Sequence, residues 1–245
     1  MGDPGPGDAT RTDRVTWGDI KPYFAQTPAS RLLIALPEHG LVYVKNPKAA
    51  SSTLMVWLDR LHTGETTRPV NRMHRDHSIP KLRVVGRRRV MRMLSGRAYR
   101  FSFVRDPVRR LESVYWAKMF RDLRFRRAQA PALGISPDPS VRVCFEEFLD
   151  AIERQDPLRE MNPHWRPQHL NLLHPVVEYD HVGRLETFDA DLERIREAAK
   201  LPHVPIESRN VAPETPERAS VYDGRPDLRR RVEELYAKDL ELYGY

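Results

Sequence analysis

A single cysteine, Cys144, stands among 245 residues, so no disulfide can close within the chain and no zinc site can be built from several cysteines. No apolar run approaches the ~18 residues of a membrane-spanning helix. Met1 to Asp13 are rich in Gly, Pro and Asp and lack the apolar stretch of a secretory signal. Glycine is scarce, 12 in all, and no GxxxxGK[ST] run exists, which removes the usual ATP or GTP loop. No acidic Mg²⁺-binding motif is recognisable, and no metal is expected. These absences lead us to expect a cytoplasmic protein, with a disordered tail over residues 1–14 and one domain over 15–245.

What is present is charge. Lys and Arg number 41 against 34 Asp and Glu, a formal net charge of +7, and the mean hydropathy is −0.62. The 40% of hydrophobic residues still suffices for a core. The basic excess is mostly arginine, clustered at Arg83 to Arg92, Arg105 to Arg110 and Arg121 to Arg127, which suits an anionic ligand. Cys144, ahead of Phe145 and Phe148, reads as a small core residue.

Along the chain, strands alternate with helices. Residues 31–44 read as two strands around a turn at Pro37 to Gly40, with Leu41 to Val44 short and apolar like a central parallel strand. A helix follows, capped by Ser51 or Ser52 and running to about His62. Residues 98–104 form a strand, and Pro107 opens a helix with Val108, Leu111, Tyr115 and Met119 on one face. Residues 121–142 show little periodicity and read as an insertion. Helices are expected at 145–152, 188–199 and from Pro226 to near Gly244, with Val176 to Tyr179 and Val182-Gly183 extended. The fold class is α/β, a single domain with a central parallel sheet flanked by helices.

Two strand-to-helix turns carry the chemistry. In Lys45-Asn46-Pro47-Lys48-Ala49-Ala50-Ser51-Ser52-Thr53, the amides of residues 49–53 can face an oxyanion, with charge from Lys48 and hydroxyls from Ser51, Ser52 and Thr53. A Pro-Lys turn of this kind also serves as an ordinary connection. In Phe103-Val104-Arg105-Asp106-Pro107, the Arg105 guanidinium sits at a strand end, and Ser113 follows two helical turns later on the face of Arg109. Alternatively Arg105 and Asp106 form a structural ion pair and Ser113 is a surface residue. Arg109, Arg110 and Glu112 read as a solvated helix face. Two anion sites in one α/β domain suggest one ligand with two separate phosphates.

At these residues the chain resembles the carbohydrate sulfotransferases of the chondroitin 4-O and HNK-1 type and their bacterial relatives. Pro47 to Thr53 is similar to their 5′-phosphosulfate loop, and Phe103 to Pro107 through Ser113-Val114-Tyr115 to their 3′-phosphate motif. Further matches are Phe145 to Phe148, His164-Trp165-Arg166-Pro167-Gln168, Tyr179 to Thr187 and Asp239 to Tyr245. The resemblance implies a P-loop-like sulfotransferase fold and 3′-phosphoadenosine 5′-phosphosulfate as donor. By the same resemblance Lys48, Ala49, Ala50, Ser51, Ser52 and Thr53 would hold the 5′ end, and Arg105 and Ser113 the 3′-phosphate. It also implies a carbohydrate or glycolipid acceptor and polysaccharide sulfation.

In-line sulfuryl transfer needs charge on the leaving oxygens, which Lys48 would supply, and a base for the acceptor hydroxyl. His77 is the first candidate, between the two motifs; His74 is second and His164 third. Glu186 reads as an orienting or a structural carboxylate. Trp165 reads as a sugar platform or a core residue. The competing reading is a non-enzymatic binder of anionic polymer, nucleic acid or sulfated glycan, driven by the +7 charge. A peripheral membrane contact is compatible with that charge, whereas nucleic acid is not expected as the partner.

Overall fold

The computed structural model describes residues 14–65, 77–206 and 219–245. Its centre is a four-stranded sheet in the order β1 (Leu33–Leu36), β2 (Leu41–Val44), β3 (Tyr99–Val104), β4 (His181–Arg184). β1 runs antiparallel to β2, while β2–β3 and β3–β4 are parallel. The α/β fold expected from the alternation is therefore present, with one antiparallel edge.

Residues of β1 and β2 are buried on both faces, as strands covered on each side by helices must be. One face carries Tyr43, Phe101 and Phe103 against Trp57 of the helix Ser51–Thr63 and Phe188 of the helix Phe188–Ala198. The other face packs Val42 and Val44 on Val90, Met91 and Leu94. Gly183, opposite Phe103, is required by this packing, because a Cβ there would lie 2.6 Å from the Phe103 ring. A second core gathers the helices Pro107–Val114, Phe145–Glu153 and Pro226–Leu235 around Trp165, Phe148 and Tyr115. Among the described residues no helix is long and apolar enough to cross a membrane.

Several local expectations are corrected. Neither Ser51 nor Ser52 caps the first long helix; Ala50, left-handed at φ 56°, stands there with no side-chain cap. Cys144 is exposed and is itself the N-cap of the helix Phe145–Glu153, its sulfur accepting from the Glu147 amide. Val176 to Tyr179 form no strand, because the Val176 and Val177 amides turn back onto the Leu173 carbonyl. The sheet resumes only after Asp180, whose carboxylate takes the backbone and side chain of Arg100. The C-terminal helix breaks at Tyr236, whose hydroxyl donates to the Trp165 carbonyl at 2.5 Å in the second core. Residues 121–142 contain a helix, Leu123–Leu133, with Arg126, Ala130 and Leu133 buried.

Candidate active site

Lys48 and Arg105 follow the C-terminal ends of β2 and β3, which are neighbours in the sheet. A crevice outside the strand ends is where parallel α/β sheets bind their ligands. The backbone of the first turn is left-handed at both Lys48 (φ 72°) and Ala50 (φ 56°). Such residues bracket a concavity of backbone N–H groups, and the uncapped helix behind it adds the amides of its first turn. Ser51 and Thr53 are buried there, and Ser52 is half-buried.

Lys48 forms no ion pair among the described residues. Burial, then the positive charges of Arg105, Lys118, Arg121 and Arg110, pull its ammonium down to about 8. Lys118 is paired with Asp122 at 2.9 Å. A cation held among cations, with no ion-paired carboxylate among the described residues, is a candidate anion site.

The second turn is built differently. Asp106 caps the helix Pro107–Val114 by accepting from the Arg109 amide at 2.9 Å, so it is a cap and not the ion-pair partner of Arg105. Gln168, fully buried, clamps the Arg105 backbone from both sides: its Oε1 accepts from the amide at 3.0 Å and its Nε2 donates to the carbonyl at 2.7 Å. The same Oε1 accepts from Asn46 Nδ2 at 2.9 Å, so one side chain joins the two turns. The Arg105 guanidinium is left without an ion pair among the described residues. Burial lowers its pKa, and Glu186 is its strongest opposing charge. Glu186 itself is engaged by the Asp106 amide and the Tyr245 hydroxyl, which makes it a structural carboxylate. Ser113 is half-buried on the helix that follows Arg105.

Arg110 overturns its reading as part of a solvated face. It is fully buried and donates to the carbonyls of Pro47, Arg166 and Pro163 at 2.9–3.1 Å. Its position shares a helix face with Pro107, Leu111 and Val114, so the helical spacing already put it inward. Gln168, Asn46, Lys118 and Arg121 were likewise missed. Gln168 closes the His-Trp-Arg-Pro-Gln segment, but its role is a tertiary contact that local pattern does not reveal.

Among the described histidines, His164 lies in the field of Lys48, together with Lys118, Arg110 and Lys45. Burial first and those cations second hold its pKa well below the ordinary value. Asn162 Oδ1 accepts from the His164 amide at 3.1 Å and from Nδ1 at 2.7 Å. This fixes the proton on Nδ1 and leaves the Nε2 lone pair as the ring's acceptor. His77 faces Asp59, Lys45 and Lys81 instead, with Nδ1 3.2 Å from the Ile79 carbonyl, and burial lowers its pKa. His74 lies outside the described residues. Trp165 is buried, its indole donating to Gln155 at 2.8 Å, so it is a core residue and offers no face to a sugar. Among the described residues no three His, Cys, Asp or Glu side chains group as metal ligands.

The sequence profile of the sulfotransferase family matches residues 31–245. Carbohydrate sulfotransferase 14 of Homo sapiens is 34% identical over 164 residues, 60% of this chain and 42% of that protein. Its Mus musculus counterpart is 37% identical over 134 residues, 49% and 34%. Carbohydrate sulfotransferase 12 of Mus musculus is 27% identical over 250 residues, 87% and 59%. The chain thus spans 34–59% of the length of these relatives. No solved structure matches it. The profile covers both strand-to-helix turns and most of the chain, and the chain belongs to the sulfotransferase family.

Proposed function

We propose that the protein transfers a sulfuryl group from 3′-phosphoadenosine 5′-phosphosulfate to a hydroxyl of a carbohydrate, free or on a lipid. The observation that carries this is the pair of cations without an ion pair among the described residues, Lys48 and Arg105, on turns joined through Gln168. A ligand with two separated phosphates matches two such sites, and the names of the relatives support a carbohydrate acceptor.

In this reading the amides of residues 49–53 and the hydroxyls of Ser51, Ser52 and Thr53 receive the 5′ end, while Arg105 and Ser113 receive the 3′-phosphate. The acceptor oxygen attacks sulfur in line as the bond from sulfur to the bridging phosphate oxygen breaks. The electron pair of that bond leaves with the phosphate, and Lys48 offsets the charge growing there. The acceptor proton passes to His164 Nε2, which is neutral and oriented by Asn162. His164 is a weak base in the free protein because burial first, and then the surrounding cations, hold its pKa down. Donor phosphates would cancel part of that field and raise its basicity when the donor is bound. His77 is the second candidate for the base.

Titration calorimetry with adenosine 3′,5′-bisphosphate against AMP tests the reading. The bisphosphate is expected to bind far more tightly. Equal affinities would remove the second anion site.

A further inference from the structure

A second basic region occupies the other end of the sheet. Residues 78–104 contain no Asp or Glu. Within them Arg89, Arg92 and Arg97 are exposed and line one open pocket with Pro37, Gly40 and Met93. None of the three makes an ion pair or side-chain hydrogen bond among the described residues, and exposed Arg83 and Arg88 beside them are in the same state. Gly40 immediately precedes β2 and Arg97 lies just before β3, and the Tyr99 amide donates to the Gly40 carbonyl at 2.7 Å. This pocket therefore sits at the N-terminal ends of the parallel strands, whereas Lys48 and Arg105 sit past their C-terminal ends. A six-residue strand separates the two by roughly 20 Å. That is about two and a half screening lengths at physiological salt, so the two regions act as separate charged sites.

The neighbouring carboxylates are committed elsewhere. Glu38, in the turn that borders the pocket, is held by His62 Nδ1 at 2.6 Å, and Asp19 closes the cap at Thr16. The pocket measures about 230 Å³, smaller than the roughly 300–1,000 Å³ of enclosed small-molecule sites. It can seat an anionic group of a larger ligand but cannot surround a cofactor. Three guanidinium forks match carboxylate and sulfate oxygens. Among the described residues the patch offers no free stacking platform for bases: its aromatic neighbour Trp17 is covered by Arg87 at 4.4 Å and stacked on Phe24. Insertion into lipid would need an apolar cluster. Val84 is 72% exposed, but Leu82 and Val85 beside it are half-buried.

We propose that Arg89, Arg92 and Arg97 form an exosite for an acidic polysaccharide, a chain bearing carboxylates or sulfates. It would hold such a chain at a distance from the transfer site, and each transferred sulfuryl group would strengthen the grip. The exosite's part in acceptor handling rests on the sulfotransferase reading; its ligand class rests on the patch alone.

The test compares two full-length triple variants that lose equal charge. Arg89→Gln, Arg92→Gln and Arg97→Gln together are expected to weaken binding of size-defined heparin about tenfold or more at low salt, with a shallower salt dependence. Arg194→Gln, Arg229→Gln and Arg230→Gln together are expected to bind as wild type. Both are measured with saturating adenosine 3′,5′-bisphosphate, whose own affinity should match wild type in each. Equal heparin affinity in the two variants would overturn the exosite. An equal loss toward single-stranded DNA or phosphatidylserine vesicles would overturn polysaccharide as its ligand. Absence of bisphosphate binding in the wild type would count against the donor reading and leave the heparin comparison standing.

Discussion

After β2 the chain enters its helix through two left-handed residues, Lys48 and Ala50, with no side-chain cap. After β3 it enters through Asp106 and Pro107, capped by a carboxylate and clamped by Gln168 and Glu186. Left-handed backbone at a non-glycine residue costs about 1–3 kcal/mol each. The first turn carries that strain and leaves its helix without a side-chain cap, although the Ala49 amide reaches back to the Asn46 carbonyl at 3.4 Å. The second spends its backbone on the protein and presents a guanidinium. A site of the first kind can tighten on charge that develops during a reaction, because its helix has no side-chain cap and its ammonium has no ion-pair partner among the described residues. One of the second kind grips a fixed group and sets register. Under the proposed function, this difference suits Lys48 to the reacting end of the donor and Arg105 to the anchoring end.

The largest expected effect lies at the reacting end. His164→Ala should lower turnover by about 10²–10⁴ while bisphosphate affinity holds, since removing a base leaves the donor site intact. His77→Ala, made in parallel, should keep turnover near wild type; the reverse result would move the base to the segment after the first helix. Next in size, Lys48→Ala should fold normally and lose about 10²–10³ in turnover, the scale of one lost transition-state donor. Wild-type turnover would remove Lys48 from the chemistry and erase the contrast between the turns.

At the anchoring end the loss should fall on binding. Arg105→Ala is expected to weaken the bisphosphate by about 1.5–3 kcal/mol, the worth of hydrogen bonds to a charged group, and to leave AMP binding nearly unchanged. Turnover at saturating donor should drop much less than in Lys48→Ala. If both variants change turnover and affinity in the same proportion, the two turns do not divide the work as their construction suggests.

Both turns and the strands beneath them were legible in sequence because they are local: an apolar run, a cationic turn and a helical face within a dozen residues. The parallel order of β2, β3 and β4 followed from alternation. The clamp was not legible. Gln168 meets Arg105 and Asn46 across 63 and 122 residues, and a glutamine has no pattern of its own until the fold brings it there. Arg110 failed for another reason, since its charge outweighed its place on the apolar side of its helix. The surroundings of the histidines were no more legible: His77 lies between the motifs in sequence, whereas the charges that act on Lys48 come from residues 105–121 and His164 shares their field. Cys144 was placed in the core for its apolar neighbours, whereas its position ahead of Glu147 makes it a cap.

The smallest effect is a pH dependence that separates the two cations. A lysine ammonium ordinarily titrates near 10.4, whereas Lys48 is drawn down to about 8 by burial and by Arg105, Lys118, Arg121 and Arg110. A bound phosphate favours the charged form, so Lys48 must titrate higher in the complex than in the free protein. Binding then takes up a proton at any pH between the free and bound values. As pH rises through about 8, the free protein loses the charge that the complex retains, and bisphosphate affinity should fall by up to about tenfold per unit. Below that range Lys48 is charged in both states and contributes no slope. Arg105, a guanidinium, stays charged throughout and cannot produce the effect. Lys45 can, because burial and Arg31 also bring it to about 8. Lys48→Arg distinguishes them: a permanent charge at position 48 should retain binding and flatten the alkaline slope. A slope that persists in Lys48→Arg belongs to Lys45, and the anion would then meet the lysine turn at its first residue.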